Sequence, residues 1–119
     1  MSEARDPVET NPELYRVVME NDAVRVLEYR DAPGDRTSPH DHPDSVMVTL
    51  SSFLRRLETG EQRRDVAFEA GAVRWRAAQR HSGENIGETD THVVFVELKG
   101  PAHVRRDDAP PATLGPSSS

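Results

Sequence analysis

No window of about 11 residues in this 119-residue chain carries its apolar side chains at helical spacing. The apolar residues alternate instead, in short runs broken by Gly, Pro, Asn, Asp and Ser. Thr91 to Lys99, reading THVVFVELK, is the clearest of these. Strict alternation puts successive side chains on opposite faces, which is the signature of a half-buried strand. Further strands are predicted over Leu14–Glu20 and Ala23–Arg30, closed into a pair by Asn21-Asp22. Others are predicted over Val46–Ser52, Phe53–Thr59, Arg63–Glu69, Ala72–Ala78 and His81–Ile86. Asp31 to Pro39 reads as a loop with its corner at Pro33-Gly34. About eight or nine short strands at this spacing predict an all-β sandwich or barrel, with helix scarce.

The apolar content bounds the folded part. Leu, Ile, Val and Phe number 24, and 21 of them fall between residues 14 and 99. Residues 1–12 are expected to form a flexible N-terminal arm, 13–100 a single barrel, and 101–119, rich in Pro, Ala, Asp and Ser, a disordered tail. Cysteine is absent, which excludes disulfides, thiolate metal sites and a Cys nucleophile. No apolar run suggests a membrane span, and the first ten residues lack the apolar region of a secretory signal. A cytoplasmic setting is therefore expected. The net charge of −6 argues against nucleic acid or an anionic membrane as partner. The 14 Arg against a single Lys, Lys99, are read as compositional bias.

His40 and His42 are one residue apart, so on a strand both rings leave the same face. Neutral imidazole nitrogens on one face can grip a metal ion. A bare His-x-His pair is weak, since most such pairs are surface accidents. Its context strengthens it. Gly34, five residues, His40, one residue and His42 resemble the first motif of the cupin family. Gly71, His81 and Asn85 resemble the second, with Ala77 where that family usually has Pro. The resemblance spans roughly residues 14 to 99 and implies a cupin double-stranded β-helix, a jelly-roll-like barrel.

The family's first motif continues to a Glu, which would fall here at Val46 or Met47. Neither binds a hard cation, so the resemblance implies a three-histidine metal site of His40, His42 and His81, like that of the diketone-cleaving and thiol-oxidising dioxygenases of the family. Asp44 is the alternative carboxylate, and Glu97 a partner held behind the ligands. Three imidazoles leave the full charge of a divalent ion in place and suit Fe, Zn, Ni or Cu; Fe(II) is favoured by the resemblance, with Mn also open. The activity so implied is a mononuclear non-haem iron dioxygenase or oxidase that takes a small chelating dicarbonyl, thiol or hydroxy acid together with O2. Two other readings stand beside it: a Zn-type Lewis acid for isomerase or hydrolase chemistry, and a non-catalytic cupin that binds a metal or small ligand.

Further residues are singled out. Trp75, the chain's only Trp, is expected either as a pocket wall or as packing, the latter being commoner for a large aromatic. Arg74 and Arg76 flank it and face the other way, toward solvent or a subunit contact. One of Arg55 and Arg56 must point inward, and an inward Arg, with Arg56 as the candidate, could hold a substrate carboxylate. Asn85 is expected to stabilise the strand near His81. His92 and His103 are read as surface residues. The resemblance also implies a homodimer, with Leu14–Glu20 laid against a neighbour.

Overall fold

The computed structural model describes residues 5–100; the expected tail over 101–119, His103 and the first four residues lie outside them. Nine strands run through the described residues: β1 (Tyr15–Glu20), β2 (Val24–Asp31), β3 (His40–His42), β4 (Ser45–Thr49), β5 (Phe53–Thr59), β6 (Gln62–Phe68), β7 (Val73–Arg76), β8 (Gln79–Asn85) and β9 (Thr91–Leu98). They form two antiparallel sheets, a five-stranded one ordered β1-β2-β9-β4-β7 and a four-stranded one ordered β3-β8-β5-β6. No helix among these residues is long and apolar enough to cross a membrane.

Local chemistry sets the corners. The Asn21 side-chain carbonyl accepts from the Ala23 and Val24 amides at 2.8 and 2.9 Å, which folds β1 back onto β2. Gly34 and Gly71 both sit at positive φ, 93° and 91°, a conformation that other residues adopt only with strain. Gly34 lies ahead of β3, which carries His40 and His42, and Gly71 lies ahead of β7, which leads into β8 and His81.

Alternation decides what faces inward. On β9, Thr91, Val93 and Glu97 are buried, and Phe95 in the same phase packs against both apolar clusters. One cluster is Tyr15, Leu27 and Tyr29; the other is Met47, Phe53 and Val93. Leu27 is completely buried, which is worth about 2–3 kcal/mol against leaving it exposed. The apolar residues line the inner faces of both sheets and leave a cavity between them.

Of the expected N-terminal arm, residues 5–12 are described, and part of them packs on the barrel. Pro7–Thr10 make one helical turn, α1, capped by the Asp6 side chain on the Val8 amide. Pro7 is buried, and Asp6 forms a two-pronged ion pair with Arg25 at 2.8 and 2.9 Å. A proline at the start of a helix and an arginine on β2 tie this segment to the barrel. The edge strand of the five-stranded sheet on this side is β1.

Candidate metal centre

β3 and β8 pair in antiparallel register with His40 directly opposite His81 and His42 opposite Gln79. Period-two geometry then sends His40, His42 and His81 into the cavity together. Their ring centroids are 4.7, 5.0 and 4.9 Å apart, and each pair of rings is nearly perpendicular. One ring nitrogen from each lies within 4.8 Å of the others, and among the described residues no carboxylate joins this cluster.

The outer partners of the rings assign their lone pairs. His40 Nδ1 donates to the Ser38 carbonyl at 2.7 Å, which leaves Nε2 as the acceptor. The Tyr15 hydroxyl donates to that Nε2 at 3.3 Å. His42 Nδ1 faces Glu97 Oε2 at 3.4 Å, and a carboxylate only accepts, so the His42 proton sits on Nδ1. His42 Nε2 is a buried nitrogen with no partner, and His81 Nδ1 is buried without a partner as well. Buried polar atoms are nearly always satisfied, so two such nitrogens in one three-ring cluster are compatible with a metal site. Burial, and then the neighbouring His42, push His40 down to about 4 and His81 to about 2. Both rings are neutral at ordinary pH, as ligands must be. The residues therefore fit a divalent ion.

The Glu97 carboxylate is itself held. Arg25 Nε donates to Glu97 Oε1 at 2.9 Å, and the same guanidinium grips Asp6. The chain His42–Glu97–Arg25–Asp6 runs from the centre to the N-terminal segment and fixes the His42 ring. Glu97 thus faces inward and stands behind the His42 ring.

A second buried network lies beside the first. Asp31 accepts from Arg55 Nη1 at 2.6 Å, from Asn85 Nδ2 at 3.0 Å and from the Tyr29 hydroxyl. Arg55 Nη1 also reaches Thr91 Oγ1, and its Nη2 donates to the Tyr29 hydroxyl. Gly83 makes room for this guanidinium, since a Cβ there would sit 2.8 Å from Arg55 Nη2.

Several sequence expectations need correction. Arg55, not Arg56, points inward; Arg56 is at the surface, paired with Asp65 at 2.8 Å. Phe53 begins β5 facing the core, and counting in twos from it selects Arg55. Trp75 is 57 % exposed on the outer face of β7 and lines no part of the cavity. Its neighbour Arg76 takes the inner face and does line it. Asp44 is buried, but its Oδ1 accepts from the Ala78 amide at 2.9 Å, and it stands outside the ligand cluster. Asn85 is 1 % exposed and is bonded to Asp31, Thr89 and Gly87, so it braces the end of β8 without reaching the cavity. His92 bonds Glu28 at 2.7 Å, away from the centre. Met47, at a position where the family motif carries Glu, is buried and lines the cavity.

Sequence reasoning missed Tyr15, Ser45 and Arg76 as cavity residues. Ser45 was detectable, because it shares the phase of the buried Met47 and Thr49. Arg76 was detectable only by settling which side of β7 is outside.

No protein-family model matches the chain, and no curated protein sequence matches it. Solved structures do. A cupin domain protein from Bordetella pertussis Tohama I is 25 % identical, with a TM-score of 0.69 over 84 % of this chain and 100 % of that one. A conserved protein with a double-stranded β-helix domain from Klebsiella pneumoniae is 23 % identical, with a TM-score of 0.60 over 75 % of this chain and 78 % of that one. A predicted oxalate decarboxylase from Thermotoga maritima is 21 % identical, with a TM-score of 0.51 over 71 % and 79 % of the two chains. The fold is the cupin double-stranded β-helix.

Proposed function

We propose that this small single-domain cupin is a metal-dependent enzyme, a mononuclear non-haem iron dioxygenase or oxidase acting on a small chelating substrate. The observation that carries the reading is the convergence of three imidazoles, two with buried nitrogens that have no partner, in a cavity where among the described residues no carboxylate joins the cluster. An Fe(II) ion held by His40, His42 and His81 would supply the redox chemistry that O2 needs and keep open positions for substrate and oxidant.

The chain's own residues do the rest. Glu97 and Ser38 fix the tautomers of His42 and His40, so that each presents its Nε2. Phe53, Phe68, Phe95, Met47 and Val93 line the cavity and exclude water, which strengthens every charge interaction within it. The cavity is about 60 Å³, which suits a small substrate. The Tyr15 hydroxyl reaches His40 Nε2 when no ion is there. Burial raises its pKa far above neutral, so it stays protonated. With an ion held by His40 Nε2, the Tyr15 O–H would be free to donate to a substrate oxygen beside it.

The test is elemental analysis of untagged protein together with O2 uptake on adding a β-dicarbonyl, a thiol and a hydroxy acid. One Fe per chain with substrate-dependent O2 consumption is the expected result. Stoichiometric Zn without O2 uptake would move the reading to Lewis-acid chemistry. No metal under any loading, with an unchanged Tm, would leave a plain binding module.

A further inference from the structure

Of the two arginines that line the cavity, Arg55 is committed to Asp31 at 2.6 Å. Arg76 has no hydrogen bond or ion pair from its side chain among the described residues, although it is only partly exposed. Directly opposite it in the β4–β7 register stands Ser45, 1 % exposed, whose hydroxyl is buried in the cavity wall with no partner. An arginine and a hydroxyl on adjacent strands, both pointing into one cavity and both unsatisfied, are the donor set for a carboxylate.

The surroundings add to this. Arg64 shares the inner phase of β6 with Val66 and Phe68, and Arg74 lies over the Phe68 ring at 5.6 Å. Neither is ion-paired among the described residues. Burial, and then Arg64, pull the Arg76 guanidinium below its ordinary value, yet it stays charged. Like charges gathered in a chain of net charge −6 are unfavourable until an anion joins them. The other buried charges cancel locally, Arg55 against Asp31 and Arg25 against Glu97. Among the described residues Arg76 is the cavity cation without a counter-charge, and it acts electrostatically on His81.

We propose that Arg76 and the Ser45 hydroxyl form a carboxylate-binding end of the cavity, so that the substrate is a small carboxylate whose other oxygen atoms reach the three-histidine centre. This rests on the metal reading above and narrows its substrate class to an acid. Arg64 and Arg74 stand at the outer end of the same arginine line and draw the anion in.

The experiment is calorimetric titration of the Zn(II)-loaded full chain with malonate and, as a ligand without a carboxylate, 2,4-pentanedione. Wild type, Arg76→Met and Ser45→Ala are compared, each with its metal content measured. Arg76→Met is expected to weaken malonate roughly tenfold to a hundredfold, the worth of a charge-assisted hydrogen-bonded pair. Ser45→Ala is expected to weaken it by about threefold to tenfold. Pentanedione affinity and one metal per chain should be unchanged in both. Malonate binding within twofold of wild type in either variant, an equal loss for both ligands, or no malonate binding by the loaded wild type overturns the assignment. If wild type takes up no metal, the metal reading fails on its own, and acetate titration of the metal-free chain decides this one. Acetate affinity that depends on Arg76 supports it, and affinity that is absent or indifferent to Arg76 overturns it.

Discussion

His40 and His81, 41 positions apart in the chain, are direct cross-strand partners with ring centroids 5.0 Å apart and planes at 86°. The pairing of β3 with β8 therefore builds the centre, and His42 completes it from the same face. Removing either partner dismantles the cluster without touching the apolar interior of the barrel. His81→Ala is expected to abolish stoichiometric metal uptake, measured by elemental analysis, while the β-sheet circular dichroism is retained. Full metal occupancy in the variant contradicts the ligand assignment.

Glu97 supports a second prediction. Its carboxylate orients His42 and is held by Arg25. Glu97→Gln keeps the shape and removes the charge, so the His42 tautomer is no longer enforced. Metal affinity should fall about 10–100-fold, read by competition with a coloured chelator. An unchanged affinity would show that the 3.4 Å contact does no orienting.

The pH dependence of the metal-free protein has a definite sign. Folding holds His40 at about 4 and His81 at about 2, mainly through burial, against 6.5 for a free ring. Between pH 6.5 and 4 the unfolded chain binds the extra protons, so stability rises with pH. Each such ring adds up to about 1.4 kcal/mol of loss per pH unit as the pH falls below 6.5. Urea midpoints from pH 4.5 to 7.5 measure this, and saturating metal should flatten the acid limb until protons displace the ion. Midpoints that rise toward acid would refute the burial of neutral rings.

The Asp31–Arg55 pair makes a fourth prediction. Asp31 is fully enclosed by donors from Arg55, Tyr29, Asn85 and the Thr91 amide. Arg55→Met leaves that carboxylate without its counter-charge and should cost about 3–5 kcal/mol. Gly83→Ala should cost about 1–3 kcal/mol by pressing on the same guanidinium. Chemical denaturation measures both, and a Gly83→Ala protein as stable as wild type would mean that Arg55 moves freely.

Much of this was legible in the chain. Alternation alone shows that His40 and His42 share a face, that Val93 and Glu97 do, and that Trp75 opposes Arg74 and Arg76. The glycines at 34 and 71 mark the corners ahead of the two histidine motifs because their positive φ is difficult for any other residue. Less legible was the choice between the faces. Arg55 and Arg56 are indistinguishable in composition, and the inward one is fixed by Phe53 entering the core at the start of β5. Pro7 and Asp6 read as a polar arm, and only the long-range pairing with Arg25 orders them.

The sequence by itself determined the strands and the shared face of His40 and His42, because a period of two is a property of the local backbone; that His81 joins them was implied there only by the resemblance to the cupin family. The tertiary structure alone decided which phase of β7 looks into the cavity, which carboxylate stands behind His42, and that Arg76 meets Ser45 there without a counter-charge. Those facts depend on how two sheets close over each other, and no local pattern encodes the side on which a strand will find its neighbour.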